Sequence, residues 1–382
     1  MFGLMSKKVF IVKNIPLGKN CTGNGKKTLE EIKIRSCAIK PSNTFLNDML
    51  DMELPQSAED RIWRAGSPSK AEIIDGAFCL TVPFERLKKG FKTVPDPDVP
   101  ERSIMLVFRA YGDSIVRFST DFTEQLPPLK DSPMLNFSKG LRVKHLELKS
   151  LANGWEAIDV NGCIRVKVKT YHRSLDTERK DIMQAPPLFQ VTVIPDGKTE
   201  IPFQSVDTFF PMCSESFPLA FLERDGRVDR YTYSLHADPN EFFAGTGERF
   251  AELNLRGRTL ILENADALGV NNRRCYKNIP FYISSRPYGL FIHSHDHQRL
   301  SISDVSTRAV QGVVESPSAD IFFIGGDTPE RIVRNYRCIT GFPPELPLWS
   351  FGVWMSRMTY TSASQMNEVA DKLRQNGFPC DL

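Results

Sequence analysis

The sequence predicts a mainly β fold: a large β-sandwich, followed near the C-terminus by a single βα unit. Three observations predict it. Short runs rich in β-branched and aromatic residues recur between turn signals from Ile73 to Gly325. The 26 Phe, 26 Pro and 24 Gly lean toward strands and turns rather than a helical bundle. A helical period sets in only after Thr328, where the sandwich should end.

Residues 1–70 are poorly patterned and read as an N-terminal arm of loops and edge strands. The sandwich is assigned to residues 71–341. It opens with IIDGAFCLTV, SIMLVFRA and SIVRFST, read as successive strands and punctuated by a Pro-rich stretch at 94–100 and turns near Asp113 and 121–133. In GCIRVKVKTYH, Ile164, Val166 and Val168 alternate with Arg165, Lys167 and Lys169, the mark of a half-buried antiparallel strand. The basic stripe reads as a solvated face rather than a polyanion site. LFQVTVI, PLAFLER and RYTYSLH follow, then a Gly245-Thr-Gly247 turn, RTLILEN, IPFYIS, YGLFIH, RLSIS, RAVQGVV and DIFFIG.

Thr328 is placed to cap a helix with Pro329 at its first position, and Ile332, Val333, Tyr336 and Ile339 share its apolar face. Gly341 stops it and GFPPELP makes a stiff linker. SFGVW then reads as a buried strand. A second helix over 363–376 opens on a capping box of Ser362 and Gln365, with Ala363, Met366, Val369, Ala370 and Leu373 as its apolar stripe. A further strand begins at Pro379.

A chain of 382 residues suggests two domains. A net charge of +3, from 49 basic and 46 acidic residues, gives no case for nucleic acid as a partner. The eight cysteines are scattered without a CxxC pair, which supports neither a zinc site nor a disulfide framework. No signal-like or membrane-spanning apolar run is present, so the expectation is a cytoplasmic protein with no membrane partner. The triplets at Asn20 and Asn136 then carry no glycosylation argument. His293, His295 and His297 alternate but read as a solvated strand or loop rather than zinc ligands. Glu248 and Arg249 read as a structural ion pair behind the turn, and no Ser/His/Asp arrangement can be argued from the sequence.

Several blocks, in order, resemble glycoside hydrolase family 31, the family of α-glucosidases and α-xylosidases. They are GTGERF, ENAD, YKNIPFYIS, YGLFIHS and FFIGGDTPERIVRNYRCITGFPPELPLWSFGVWMSRMTYTS, and the likeness is dense from about Phe242 onward. Glu263 stands where the family has the Trp of its W-N-x-D. The resemblance implies that residues 342–382 are the linker and the first βα unit of a truncated (β/α)8 barrel. It implies a retaining hydrolase, working without a cofactor on terminal α-linked xylose or glucose of an oligosaccharide. Such chemistry uses two carboxyl groups about 5–5.5 Å apart. A full barrel needs about 250 residues, and 40 follow Phe342. The family's catalytic carboxylates are therefore expected beyond Leu382, leaving this chain alone inactive.

Asp266 matches the Asp of W-N-x-D, whose implied role is to accept sugar hydroxyls; the rival reading is an Asx-turn. Met358, after the first barrel strand, is placed to shape the sugar pocket or merely to pack. The alternative for the whole chain is a non-catalytic carbohydrate-binding or scaffolding β-sandwich. Homo-oligomerisation is left open.

Overall fold

The computed structural model describes residues 61–88, 95–123, 131–170, 189–203, 217–265 and 275–381. Most of the N-terminal arm, including the Asn20 triplet, lies outside them. The described residues form two antiparallel sheets. The large one takes Arg61–Ala65 (β1), Lys70–Ile74 (β2), Ala77–Arg86 (β3), Arg102–Tyr111 (β4), Ile115–Asp121 (β5) and Val143–Lys144 (β6). The small one takes Leu146–Leu151 (β7), Gly154–Asp159 (β8), Arg165–Lys169 (β9), Gln190–Ile194 (β10) and Ile201–Pro202 (β11). The large sheet then resumes with Leu219–Arg224 (β12), Arg227–His236 (β13), Phe243–Gly247 (β14), Arg258–Leu262 (β15), Asn278–Ser284 (β16), Tyr288–Ile292 (β17), Gln298–Ile302 (β18), Ala309–Val314 (β19) and Ser318–Gly325 (β20). Its spatial order is β14-β16-β17-β20-β5-β4-β3-β1-β12-β13-β19-β18-β15, with β2 on β3 and β6 on β4.

So wide a sheet must hide one face, and it curls to do so. Phe122, just past β5, lies 5.5 Å from the ring of Tyr231 on β13, although five ladders separate β5 from β13. Cross-strand pairs line the inner surface: Phe78 opposite Phe108, Leu80 opposite Leu106, Val82 opposite Ile104, all fully buried. The aromatic row runs on through Phe118 to Phe203 beside β11, which carries the small sheet onto the same core. The expected alternation in β9 is observed. Val166 and Val168 are buried, while Lys167 reaches Glu200 at 2.8 Å on the wet face.

Several expectations are corrected. IIDGAFCLTV is two strands, because Asp75 and Gly76, both at positive φ, make a two-residue hairpin turn between β2 and β3. Arg61–Ala65 is an internal strand between β3 and β12, so the sheet starts before residue 71. Gly245-Thr-Gly247 is a bulge in edge strand β14 rather than a turn, and all three residues hold positive φ.

The outer face of β17 and β20 is covered by a helix, Pro329–Thr340 (α1), and by residues 134–141. Thr328 accepts from Arg331 N, as a cap should. Ile332 and Ile339 are fully buried and Tyr336 stacks on Phe281 at 4.1 Å, but Val333, expected on the same face, is 37% exposed. The contact stripe is narrower than the apolar period suggests. Gly289 of β17 permits this approach, since a Cβ there would stand 2.8 Å from both Ile332 and Phe281.

After α1 the register of the prediction changes. SFGVW is not a strand: Leu348–Phe351 is a 3-10 turn, and residues 352–361 make no ladder. A strand needs a neighbour to accept and donate along its length. Val353 alone meets one, accepting from Asp381 N at 2.9 Å and donating to Asp381 Oδ2 at 2.8 Å. The second helix forms over Ala363–Gln375 (α2), with Ser362 accepting from Gln365 N. The return bond of the box goes to Thr361 N rather than Ser362 N. Its apolar stripe is uncovered, and no described residue after Ile339 is buried.

Ile332→Ala should lower stability by about 2–4 kcal/mol, from lost burial plus a cavity against β17, whereas Val333→Ala should change it by less than about 0.5 kcal/mol. Urea unfolding midpoints of the two variants check this; equal shifts would mean α1 is not docked through Ile332.

Candidate functional site

The curl of the large sheet brings its two ends together. Past β15, Asn264 bridges to Cys275 just before β16, and Ala265 N donates to Cys275 O at 3.0 Å. This pair forms a neck flanking residues 266–274, which include Asp266 and lie outside the described residues. The neck is clamped by side chains. Asn278 donates from Nδ2 to Glu263 O at 2.7 Å and to Asn264 Oδ1 at 3.0 Å, while its own N–H donates to Asn264 Oδ1 at 2.8 Å. Arg249 donates to Ile261 O at 2.9 Å and to Asn278 Oδ1.

The expected ion pair of Glu248 and Arg249 is not formed. Just past β14, Glu248 turns outward to Lys277 at 3.1 Å while Arg249 turns under the neck. Burial holds the Arg249 guanidinium below its ordinary pKa. Glu263 also has a partner, accepting from His297 Nε2 at 3.0 Å. Met358 lies on the irregular segment after the 3-10 turn, fully exposed at 101%.

The three alternating histidines diverge. His295 is exposed and His297 pairs with Glu263, but His293, expected on a solvated element, is 2% exposed. Its Nδ1 is 2.6 Å from Asp320 Oδ2 and its Nε2 is 2.5 Å from Ser132 Oγ. Arg117 completes the cluster with a fork onto Asp320, Nε to Oδ1 at 2.8 Å and Nη2 to Oδ2 at 2.6 Å. Burial alone would push the Asp320 carboxyl up, yet hydrogen bonds from Arg117 and His293 hold it below the usual carboxylate range. Sequence reading missed this cluster because Ser132 and Arg117 stand 161 and 203 positions from their partners.

The profile of the glycosyl hydrolase 31 N-terminal galactose mutarotase-like domain matches residues 106–296, half of the chain. The profile of the family's TIM-barrel domain matches residues 343–382. The chain belongs to glycoside hydrolase family 31. An α-xylosidase, XylQ, from Lactiplantibacillus pentosus is 31% identical over 172 residues, 44% of this chain and 22% of the relative. An α-xylosidase from Emericella nidulans is 34% identical over 146 residues, 38% of this chain and 18% of its own length. The cycloalternan-forming enzyme from Listeria monocytogenes, solved with a pentasaccharide substrate, superposes with a TM-score of 0.61 at 17% identity, over 84% of this chain and 26% of that one. At that identity the likeness concerns fold alone. This family 31 chain spans about a fifth of the length of the curated relatives it matches. Among its described residues no helix is long and apolar enough to cross a membrane, and no group of three or more His, Cys, Asp or Glu could hold a metal ion.

Because its carboxyl is held low in the folded protein, Asp320 contributes stability that is present above pH about 4 and lost as pH falls through the folded value. Asp320→Asn should therefore cost about 3–5 kcal/mol at neutral pH, since Arg117 is left buried without its counter-charge. The gap to wild type should narrow below pH about 4. Urea unfolding between pH 3 and 7 reads this directly; a gap independent of pH would mean the ion pair is not formed.

Proposed function

We propose that this chain is the N-terminal part of a retaining α-glycosidase that releases terminal α-linked xylose or glucose from oligosaccharides. Its catalytic carboxyl groups belong to barrel sequence beyond residue 382. The observation that carries the reading is the succession, in one chain, of the family's N-terminal domain and the opening of its TIM-barrel domain. That succession favours a hydrolase over a free-standing sugar-binding sandwich. The α-xylosidases among the relatives favour xylose as the first substrate to try.

Within this reading the sandwich contributes a substrate contact rather than the bond-breaking groups. Asp266 accepts sugar hydroxyls, and the neck that flanks its segment is clamped by Asn264, Asn278 and Arg249. A contact of this kind is useful only if it is held in place before the sugar arrives. Met358, exposed on the segment that opens the barrel domain, shapes the pocket wall.

The full-length enzyme should hydrolyse an aryl α-xyloside and release α-xylose first, followed by proton NMR of the anomeric signal; β-xylose as first product would overturn retention. The 382-residue chain alone should show no turnover above a heat-treated control. In the full-length enzyme, Asp266→Ala should weaken kcat/KM by about 1–3 kcal/mol, the cost of leaving polar partners unpaired. Unchanged kinetics on both xyloside and glucoside would return Asp266 to a turn-forming role.

A further inference from the structure

We propose that Ser132, His293 and Asp320 form a nucleophilic serine site on the sandwich, apart from the glycosidase chemistry, that accepts activated acyl or phosphonyl electrophiles. Asp320 is an ionised carboxylate that accepts both arms of the Arg117 fork, so the short contact from His293 Nδ1 at 2.6 Å carries its proton on the imidazole. A neutral ring protonated at Nδ1 presents a lone pair at Nε2. That lone pair faces Ser132 Oγ at 2.5 Å, so the hydroxyl donates to it. Nucleophile, base and orienting carboxylate thus stand in the order and at the distances that serine activation requires.

The setting suits reaction at the serine and protection of the rest. His293, Asp320 and Arg117 are each 2% exposed, whereas Ser132 is only half-buried. The residue is held on both sides: the backbone N–H of His293 donates to Asp320 O at 2.9 Å, and the rings of Phe291 and Phe322 lie 6.1 and 6.3 Å from its imidazole. A fixed ring loses little entropy in meeting the proton.

In the acyl step, Ser132 Oγ attacks the carbonyl carbon of an aryl ester as its proton passes to His293 Nε2. The ester C–O bond breaks, and the aryl oxide leaves with that proton. With a fluorophosphonate, the Oγ–P bond forms, the P–F bond breaks and fluoride departs. Two features make the step slow. Met134 N–H, 3.2 Å from Oγ, is a backbone donor beside the reacting oxygen, but Pro133 has no N–H to offer a second. Arg117 also neutralises part of the charge with which Asp320 would support an imidazolium. The expected behaviour is one covalent label per chain rather than rapid turnover.

The test incubates the 382-residue chain with an alkyl fluorophosphonate at neutral pH and maps the modified residue by peptide mass spectrometry. Ser132 should be labelled, with Ser132→Ala unlabelled at that peptide. His293→Gln, with its circular dichroism unchanged, should be slowed by about a hundredfold, the usual worth of a positioned general base. Wild type unfolded in urea should react no faster than that variant. No label at Ser132 in the folded wild type overturns the proposal whatever the variants do, and so does equal labelling of folded and unfolded chains.

Discussion

A sheet can bury one face only by finding something to lay it against, and this one lays it against itself. With fifteen strands in one hydrogen-bonded system, the inner rows of Phe, Leu and Val meet across the curl, and the small sheet closes what remains. The rest of the geometry depends on that single requirement. The curl carries the β15 end toward β16, and the junction needs polar stitching because two strand ends leave backbone groups unpaired there. Asn264, Asn278 and Arg249 supply the stitches.

The same constraint explains a charged cluster inside an apolar protein. β5, β17 and β20 are adjacent and buried on both faces, so a polar side chain placed on them has no route to water. Arg117, Asp320 and His293 solve this jointly, each satisfying what the others cannot leave open. Ser132, from the segment that packs beside α1, supplies the remaining partner.

What was legible in the sequence follows local rules. The alternation of β9 and the Thr328 and Ser362 caps are set by neighbours within a few positions, and both came through. So did the family blocks from Phe242 onward, because they are runs of adjacent residues. What failed depends on distant partners. β1 holds only RIWRA, whose Arg64 looks like a surface residue until Glu85 is found beside it on β3. SFGVW has the composition of a buried strand, but composition does not make a strand without a ladder. His293 alternates with two histidines that share neither its burial nor its partners.

The helix α1 is fixed at several points along its length. It is joined to the outer face of β17 and β20 by Ile332, Ile339 and the Tyr336–Phe281 stack, and Asn335 donates to Gly325 O at 2.8 Å. From the other side, Asn136 and Ser138 N–H groups donate to Ile339 and Cys338 carbonyls at its last turn. A rod gripped along its length and at its tip behaves as a strut. The polypeptide after Gly341 therefore departs from a point fixed on the sandwich. Three of residues 342–347 are proline, which stiffens the chain as it leaves. A shift of α1 against β17 would thus be passed on to the segment that follows Gly341.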